Sequence, residues 1–207
     1  MWLVVGLGNP GEQYARTRHN VGFMAVDLLV RRFPISSCRT NTWSRFYHLQ
    51  FQNLPVFLVQ PQTYMNRSGL AVRELLDQYD LLPDHLIVIY DDLDLEPGSL
   101  RIRPHGGHGG HKGLQSVIEH LGHNDFIRVR IGIGRPQAQT DQQASFERGE
   151  VVDYVLQPFS DEELPIIHDA LNRAADAIEL VLNGQLDMAM NRYNRRDLQR
   201  MTPLVGE

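Results

Sequence analysis

Apolar residues along this chain repeat with two different periods. Residues 2–7 (WLVVGL) and 86–90 (LIVIY) are unbroken apolar runs, the pattern of strands buried on both faces. Residues 21–32 (VGFMAVDLLVRR) instead place apolar side chains at helical spacing, and residues 67–79 and 113–121 read as two further helices. A long helix is expected from Asp161 to Leu182, with Ser160 as N-cap, Glu163 closing a capping box and Gly184 just past its end. A shorter helix follows over residues 185–193. Residues 45–52 and 55–60 read as a hairpin turning at Gln52 and Asn53, with Pro55 starting the second strand. Residues 99–103 are extended, and 126–133 (FIRVRIGI) form another strand. The polar stretch 136–150 predicts a mobile surface loop.

Strands separated by helices indicate an α/β layer fold, and the hairpin makes its β-sheet mixed instead of purely parallel. The 207 residues suffice for a single domain, with residues from about 194 to 207 as a flexible, arginine-rich tail. No apolar run approaches the length needed to span a bilayer, and no export signal opens the chain, so a cytoplasmic protein is expected. The lone cysteine, Cys38, suits a reducing compartment and reads as structural. A net charge of −5 argues against a uniformly cationic nucleic-acid binder. Arginines nevertheless cluster at Arg101/Arg103, Arg128/Arg130/Arg135 and Arg192/Arg195/Arg196/Arg200, and Lys112 is the only lysine. On charge alone these are solvated strand and helix positions.

The stretch VVGLGNPG carries G-x-G-x-x-G (Gly6, Gly8, Gly11) after a strand, the outline of a dinucleotide-binding turn. Its surroundings disagree. Asn9 and Pro10 interrupt the motif, polar EQYARTRHN follows where a helix should start, and no acidic residue ends a strand about 20 residues on. What the turn supplies is Asn9 at the carboxyl edge of the sheet, where ligands of open α/β sheets bind.

His19 precedes the first long helix, Asn66 follows a strand, and Asp91 and Asp92 end another. Together with Asn9 these types permit hydrolysis without metal or covalent intermediate. A neutral imidazole takes a proton from water, a carboxylate fixes its tautomer, and carboxamide N–H groups hold the carbonyl. Each has a plainer reading: His19 and Asn66 as helix caps, Asp91 as a turn residue. The run HGGHGGHKG (105–113) spaces His105, His108 and His111 by three, but so flexible a backbone positions metal ligands poorly. A glycine-rich loop opening a helix at Lys112 fits contact with a phosphate or polar substrate better.

VGLGNPGEQYARTRHNVGF, PQTYMNRSG, YDDLDLEPG and GGHGGHKGLQSVI, in this order, closely resemble the bacterial-type peptidyl-tRNA hydrolases, and RVRIGIGRP and VVDYVL extend the likeness. The resemblance implies a single α/β domain with a mixed twisted sheet flanked by helices. It also implies an enzyme, needing no metal or cofactor, that cleaves the ester joining a peptide to the 3′ end of tRNA; the sequence itself gives no reason to expect an oligomer, and a monomer is expected. By position, His19 is then the catalytic base and Asp91 the residue that keeps it basic. Asn9 selects N-blocked esters, and Tyr14, Tyr64 and Asn66 contact substrate. Lys112 departs from the pattern, since many members carry asparagine there, and its expected role is contact with a tRNA phosphate or the developing oxyanion. Arg103, Arg128, Arg130 and the tail arginines are candidates for the tRNA acceptor arm. Two rivals are a non-enzymatic RNA-binding relative, as in plant organelle splicing proteins, and a nucleotide-dependent oxidoreductase.

Overall fold

The computed structural model describes residues 1–136 and 148–194. Seven strands form one mixed sheet in the order β2-β3-β4-β1-β5-β7-β6. Strands β1 (Trp2–Gly6), β4 (Leu54–Pro61), β5 (Leu86–Asp92) and β7 (Ile127–Gly132) pair in parallel. Strands β2 (Ile35–Thr40), β3 (Ser44–Phe51) and β6 (Leu100–Arg103) pair antiparallel with their neighbours. The unbroken apolar runs are the two central strands. Along β1, Leu3 and Val5 enter one core and Val4 the other, and β5 alternates in the same way, so both faces demand apolar side chains.

Helices α1 (Val21–Arg32), α5 (Glu163–Leu182) and α6 (Leu186–Tyr193) cover one face, while α2 (Ser68–Gln78) and α3 (Lys112–Leu121) cover the other. Among the described residues no helix is long and apolar enough to cross a membrane. The expected capping box forms: the Ser160 N–H donates to Glu163 Oε2 at 2.7 Å, and the Glu163 N–H donates to Ser160 Oγ at 3.3 Å.

Three expectations need correction. Residues 35–40 form a strand that the pattern did not announce. β2 is an edge strand held by backbone pairing to β3 with most of its side chains in solvent, so it carries no apolar alternation. Cys38 lies on that strand, exposed, and is not a core residue. Residues 148–150, expected in a loop, begin helix α4 (Arg148–Val155), and the Val155 side chain joins the core under α5. The rest of the expected loop, except Pro136, and nearly all of the expected tail lie outside the described residues.

The glycine turn after β1 serves packing. A Cβ on Gly6 would collide with the carbonyl oxygen of Gly22, and one on Gly22 would lie 2.5 Å from the Ile89 and Leu7 backbones. Two glycines therefore let the first turn of α1 sit directly against β1 and β5, which brings the residues just before α1 to the carboxyl edge of the sheet.

The far edge of the sheet is closed by a side chain. The Asn194 carboxamide accepts from the Ile102 N–H at 2.6 Å and donates to the Ile102 carbonyl at 3.0 Å, occupying the free side of β6.

Candidate active site

His19 stands in a single 3-10 turn, Arg18–Asn20, between the glycine turn and α1. The residue after it fixes that turn. Asn20 Oδ1 accepts from the Asn9 N–H at 2.8 Å, and Asn20 Nδ2 donates to the Asn9 carbonyl at 2.9 Å, clamping the two segments together. Asn9 reaches onward: its Oδ1 accepts from the Met65 N–H at 2.8 Å. This bond determines which way the Asn9 carboxamide faces, because its oxygen is engaged and its NH2 is left to donate.

Asp91, near the end of β5, is 4% exposed. Its carboxylate lies 2.9 and 3.0 Å from His19 Nδ1 and 2.9 Å from His111 Nε2. Burial pushes its pKa up, but the two imidazoles outweigh that effect and hold it well below the usual carboxylate range. An ionised carboxylate only accepts, so His19 Nδ1 carries the hydrogen and Nε2 keeps its lone pair. Burial lowers the His19 pKa, the Asp91 charge and hydrogen bond raise it, and the net direction is upward.

His111 caps α3, with its Nδ1 accepting from the Leu114 N–H at 3.1 Å. That bond fixes its tautomer too, since Nε2 must then carry the hydrogen given to Asp91. His19, Asp91 and His111 have ligand atoms within 4.8 Å of one another and could in principle hold a metal. Both imidazole nitrogens that face Asp91 are hydrogen-bond donors, however, and this arrangement suits proton handling. The sequence spacing drew His111 toward His105 and His108. The structure separates it from them, since those two are exposed while His111 faces Asp91.

A cavity of about 610 Å3 opens beside this cluster. Its wall includes His19 and Asp91, the glycine segment His105–Lys112, the cations Arg103, Arg130 and Arg135, and Val151, Val152 and Val155 of α4. β6 runs against β5 and β7, so the glycine segment must travel back along the sheet to deliver His111 to Asp91. Arg128 secures it midway, with Nη1 donating to the Gly107 carbonyl at 2.7 Å and Nη2 to the Asn124 carbonyl at 3.1 Å. Arg128 is only 2% exposed, which corrects its expected place on a tRNA-facing surface: it organises the loop from inside. Arg130 is paired with Asp92 and Arg135 with Asp94, while Arg103 is exposed. Arg195, Arg196 and Arg200 lie outside the described residues.

The remaining expected site residues are placed unevenly. Lys112 is exposed on the cavity wall at the first turn of α3. Tyr64 is 60% exposed, and Asn66 is exposed in the 3-10 turn Met65–Arg67. The capping alternative for Asn66 does not hold, because α2 has no side-chain cap and Ser68 Oγ donates to the Met65 carbonyl. Tyr14 is half-buried in the turn Glu12–Tyr14. Tyr14, Tyr64, Asn66 and Asn9 are not part of the cavity wall. Asn9 is 7% exposed and joined to the His19 turn through Asn20, and Tyr64 and Asn66 flank the Met65 that Asn9 holds.

The profile of the family described as peptidyl-tRNA hydrolase matches residues 3–201. A peptidyl-tRNA hydrolase of Syntrophomonas wolfei is 45% identical over 194 residues, covering 94% of this chain and 100% of that protein. One from Moorella thermoacetica is 48% identical over 193 residues, covering 93% and 97%. Among solved structures, a peptidyl-tRNA hydrolase from Acinetobacter baumannii superposes with a TM-score of 0.84 at 36% identity, covering 94% of each chain.

Proposed function

The chain belongs to the peptidyl-tRNA hydrolase family, and from that premise we propose how its side chains divide the cleavage of the ester between a peptide and the 3′ end of tRNA. His19 Nε2 takes a proton from a water molecule as that water attacks the ester carbonyl. Asp91 holds the imidazole in the required tautomer and stabilises the imidazolium that forms, and His111 keeps Asp91 in place from the other side. The tetrahedral intermediate then expels the ribose 3′-oxygen, which receives the proton from His19. Peptide and tRNA are the products.

Asn9 serves specificity. Its free NH2 is turned to donate to the carbonyl of an N-acyl group, an acceptor that a free aminoacyl ester lacks. A free ester would instead bring a charged amine into a site with 7% of Asn9 exposed, where desolvation disfavours it. Tyr14, Tyr64 and Asn66 contact the substrate around that group. Lys112 lies near the first turn of α3, on the cavity wall that also carries Arg103 and Arg130, and meets a tRNA phosphate or the developing oxyanion. The enzyme works as a one-domain monomer in the cytoplasm, with no metal or cofactor.

The observation that carries this reading is the hydrogen-bonded sequence from His111 through Asp91 to His19, which leaves one imidazole nitrogen free at the cavity. Release of N-acetyl-aminoacyl acid from its tRNA ester tests it. His19→Ala is expected to lower kcat by at least about a hundredfold while Tm stays near that of the parent. Parental turnover in that variant would remove the base.

A further inference from the structure

The residue before His19 is a buried cation that the chemistry above does not use. Arg18 is 7% exposed. Its Nη2 donates to Glu163 Oε2 at 2.7 Å, and its Nη1 lies 3.5 Å from the Tyr154 and Gln157 carbonyls. The guanidinium stacks on Tyr154, with Cζ 4.3 Å from the ring centroid. The chain on either side of Arg18 pairs with the same region: the Arg18 N–H donates to the Gln157 carbonyl, and the Phe159 N–H donates to the Arg16 carbonyl. Glu163 is shared, because the oxygen that accepts from Arg18 also accepts from the Ser160 N–H in the α5 capping box.

The catalytic turn is thus held from two sides. Asn20 ties it to Asn9, and Arg18 ties it to the junction of α4 and α5. α4 carries Val151, Val152 and Val155, which form the apolar wall of the cavity. Burying a guanidinium with its Nε unpartnered is a poor route to stability, since apolar groups of similar volume commonly do as well. Placement is what such a pair offers.

We propose that the Arg18–Glu163 pair is a positioning device that sets the His19 turn against Asp91 and couples it to the α4 wall of the cavity. The proposal rests on the reading of His19 as the base. Neither residue touches the substrate. Errors of an ångström in the reacting groups cost up to about a hundredfold in rate, so a loosened turn registers in kcat.

Glu163→Gln is the informative variant, because glutamine also closes a capping box and so keeps the start of α5 while removing the charge that Arg18 meets. Expected is a fall in kcat of about tenfold with KM within about twofold. The acid limb of the pH–kcat profile should also move toward lower pH, since it is Asp91 that raises His19 and a looser turn weakens that contact. The other groups around His19 (His111 at the α3 cap, Lys112 and Arg130 on the cavity wall) are unchanged in this variant. Arg18→Lys keeps the charge without the fork and should fall between parent and Glu163→Gln, and the double variant should lose less than the two losses combined. A drop in Tm with parental kcat and an unmoved acid limb would mean that the pair only stabilises, and the proposal falls. His19→Ala run alongside separates the cases: if it stays active, the base assignment itself has failed.

Discussion

Asp91 lies at one end of the cavity, buried and gripped by two imidazoles, the carboxylate itself setting the His19 tautomer and the Leu114 N–H that of His111. Along β6 and β7, at the other end, Arg103 stands in solvent, and the register sets Arg101 opposite Arg130 and Arg103 opposite Arg128. Like charges directly opposite on paired strands work against each other, and Asp92 relieves only part of this by pairing with Arg130. The Asp91 end spends its polar groups on one another, so its geometry is fixed within the protein itself. Among the described residues Arg101 and Arg103 form no ion pair, and the positive charge left at that end suits a polyanion that need only be attracted and loosely aligned. Chemistry and grip should therefore fail in different ways when each end is altered.

The largest effect is expected from Asp91→Asn, which keeps the shape but lets His19 settle in the wrong tautomer. A loss in kcat of about a hundredfold to ten-thousandfold should result, with KM little changed. The sign of the pH effect follows from His19, whose pKa is raised because the Asp91 charge and hydrogen bond outweigh burial. The base acts when neutral, so parental activity is lost as pH falls through that raised value, and in Asp91→Asn the residual activity should persist to lower pH. Steady-state rates across about pH 5 to 8 measure both. Next comes Lys112→Asn, at the boundary between the two ends. We expect kcat/KM to fall by about tenfold and log KM to depend less steeply on log salt concentration. An unchanged kcat and salt slope would deny Lys112 both of its proposed roles. Smallest is Arg103→Gln, for which KM should rise by about threefold at unchanged kcat, with the salt slope reduced by about one ion. A kcat effect there would erase the distinction between the ends.

The sequence made the central strands and most helices plain because burial on two faces, or on one helical stripe, leaves a periodic trace. α1 is found over the predicted residues, and the capping box at Ser160 and Glu163 forms. β2 left no such trace, because its order comes from hydrogen bonds to β3 and not from side chains. Within the site, the sequence places His19 just before a helix and Asp91 at a strand end, both at one edge of the sheet, and they lie within hydrogen-bond distance. His111 stands out in the sequence only as one of three evenly spaced histidines, a pattern that already argues against a metal set, and its partner Asp91 is not legible because the spacing says nothing of the loop's path back along the sheet. Asn20 and Arg18 stood in the same RTRHN stretch as His19 and were passed over, because their partners lie 11 and 145 positions away along the chain. In sequence Arg128 resembles the other strand arginines, and only the path of the glycine segment explains its burial.

Open sheet borders invite strands from other molecules to add on, a common route to unwanted self-assembly. Asn194 works against this at one border, because its carboxamide already occupies the Ile102 donor and acceptor that an incoming strand would need. The opposite border relies on a different safeguard, with the polar, solvent-facing side chains of β2 and an irregular register after Ile35 making it an unattractive template. A residue that ends a helix thus also covers the outward-facing backbone groups of a border strand, leaving ribbon growth no free pair at Ile102.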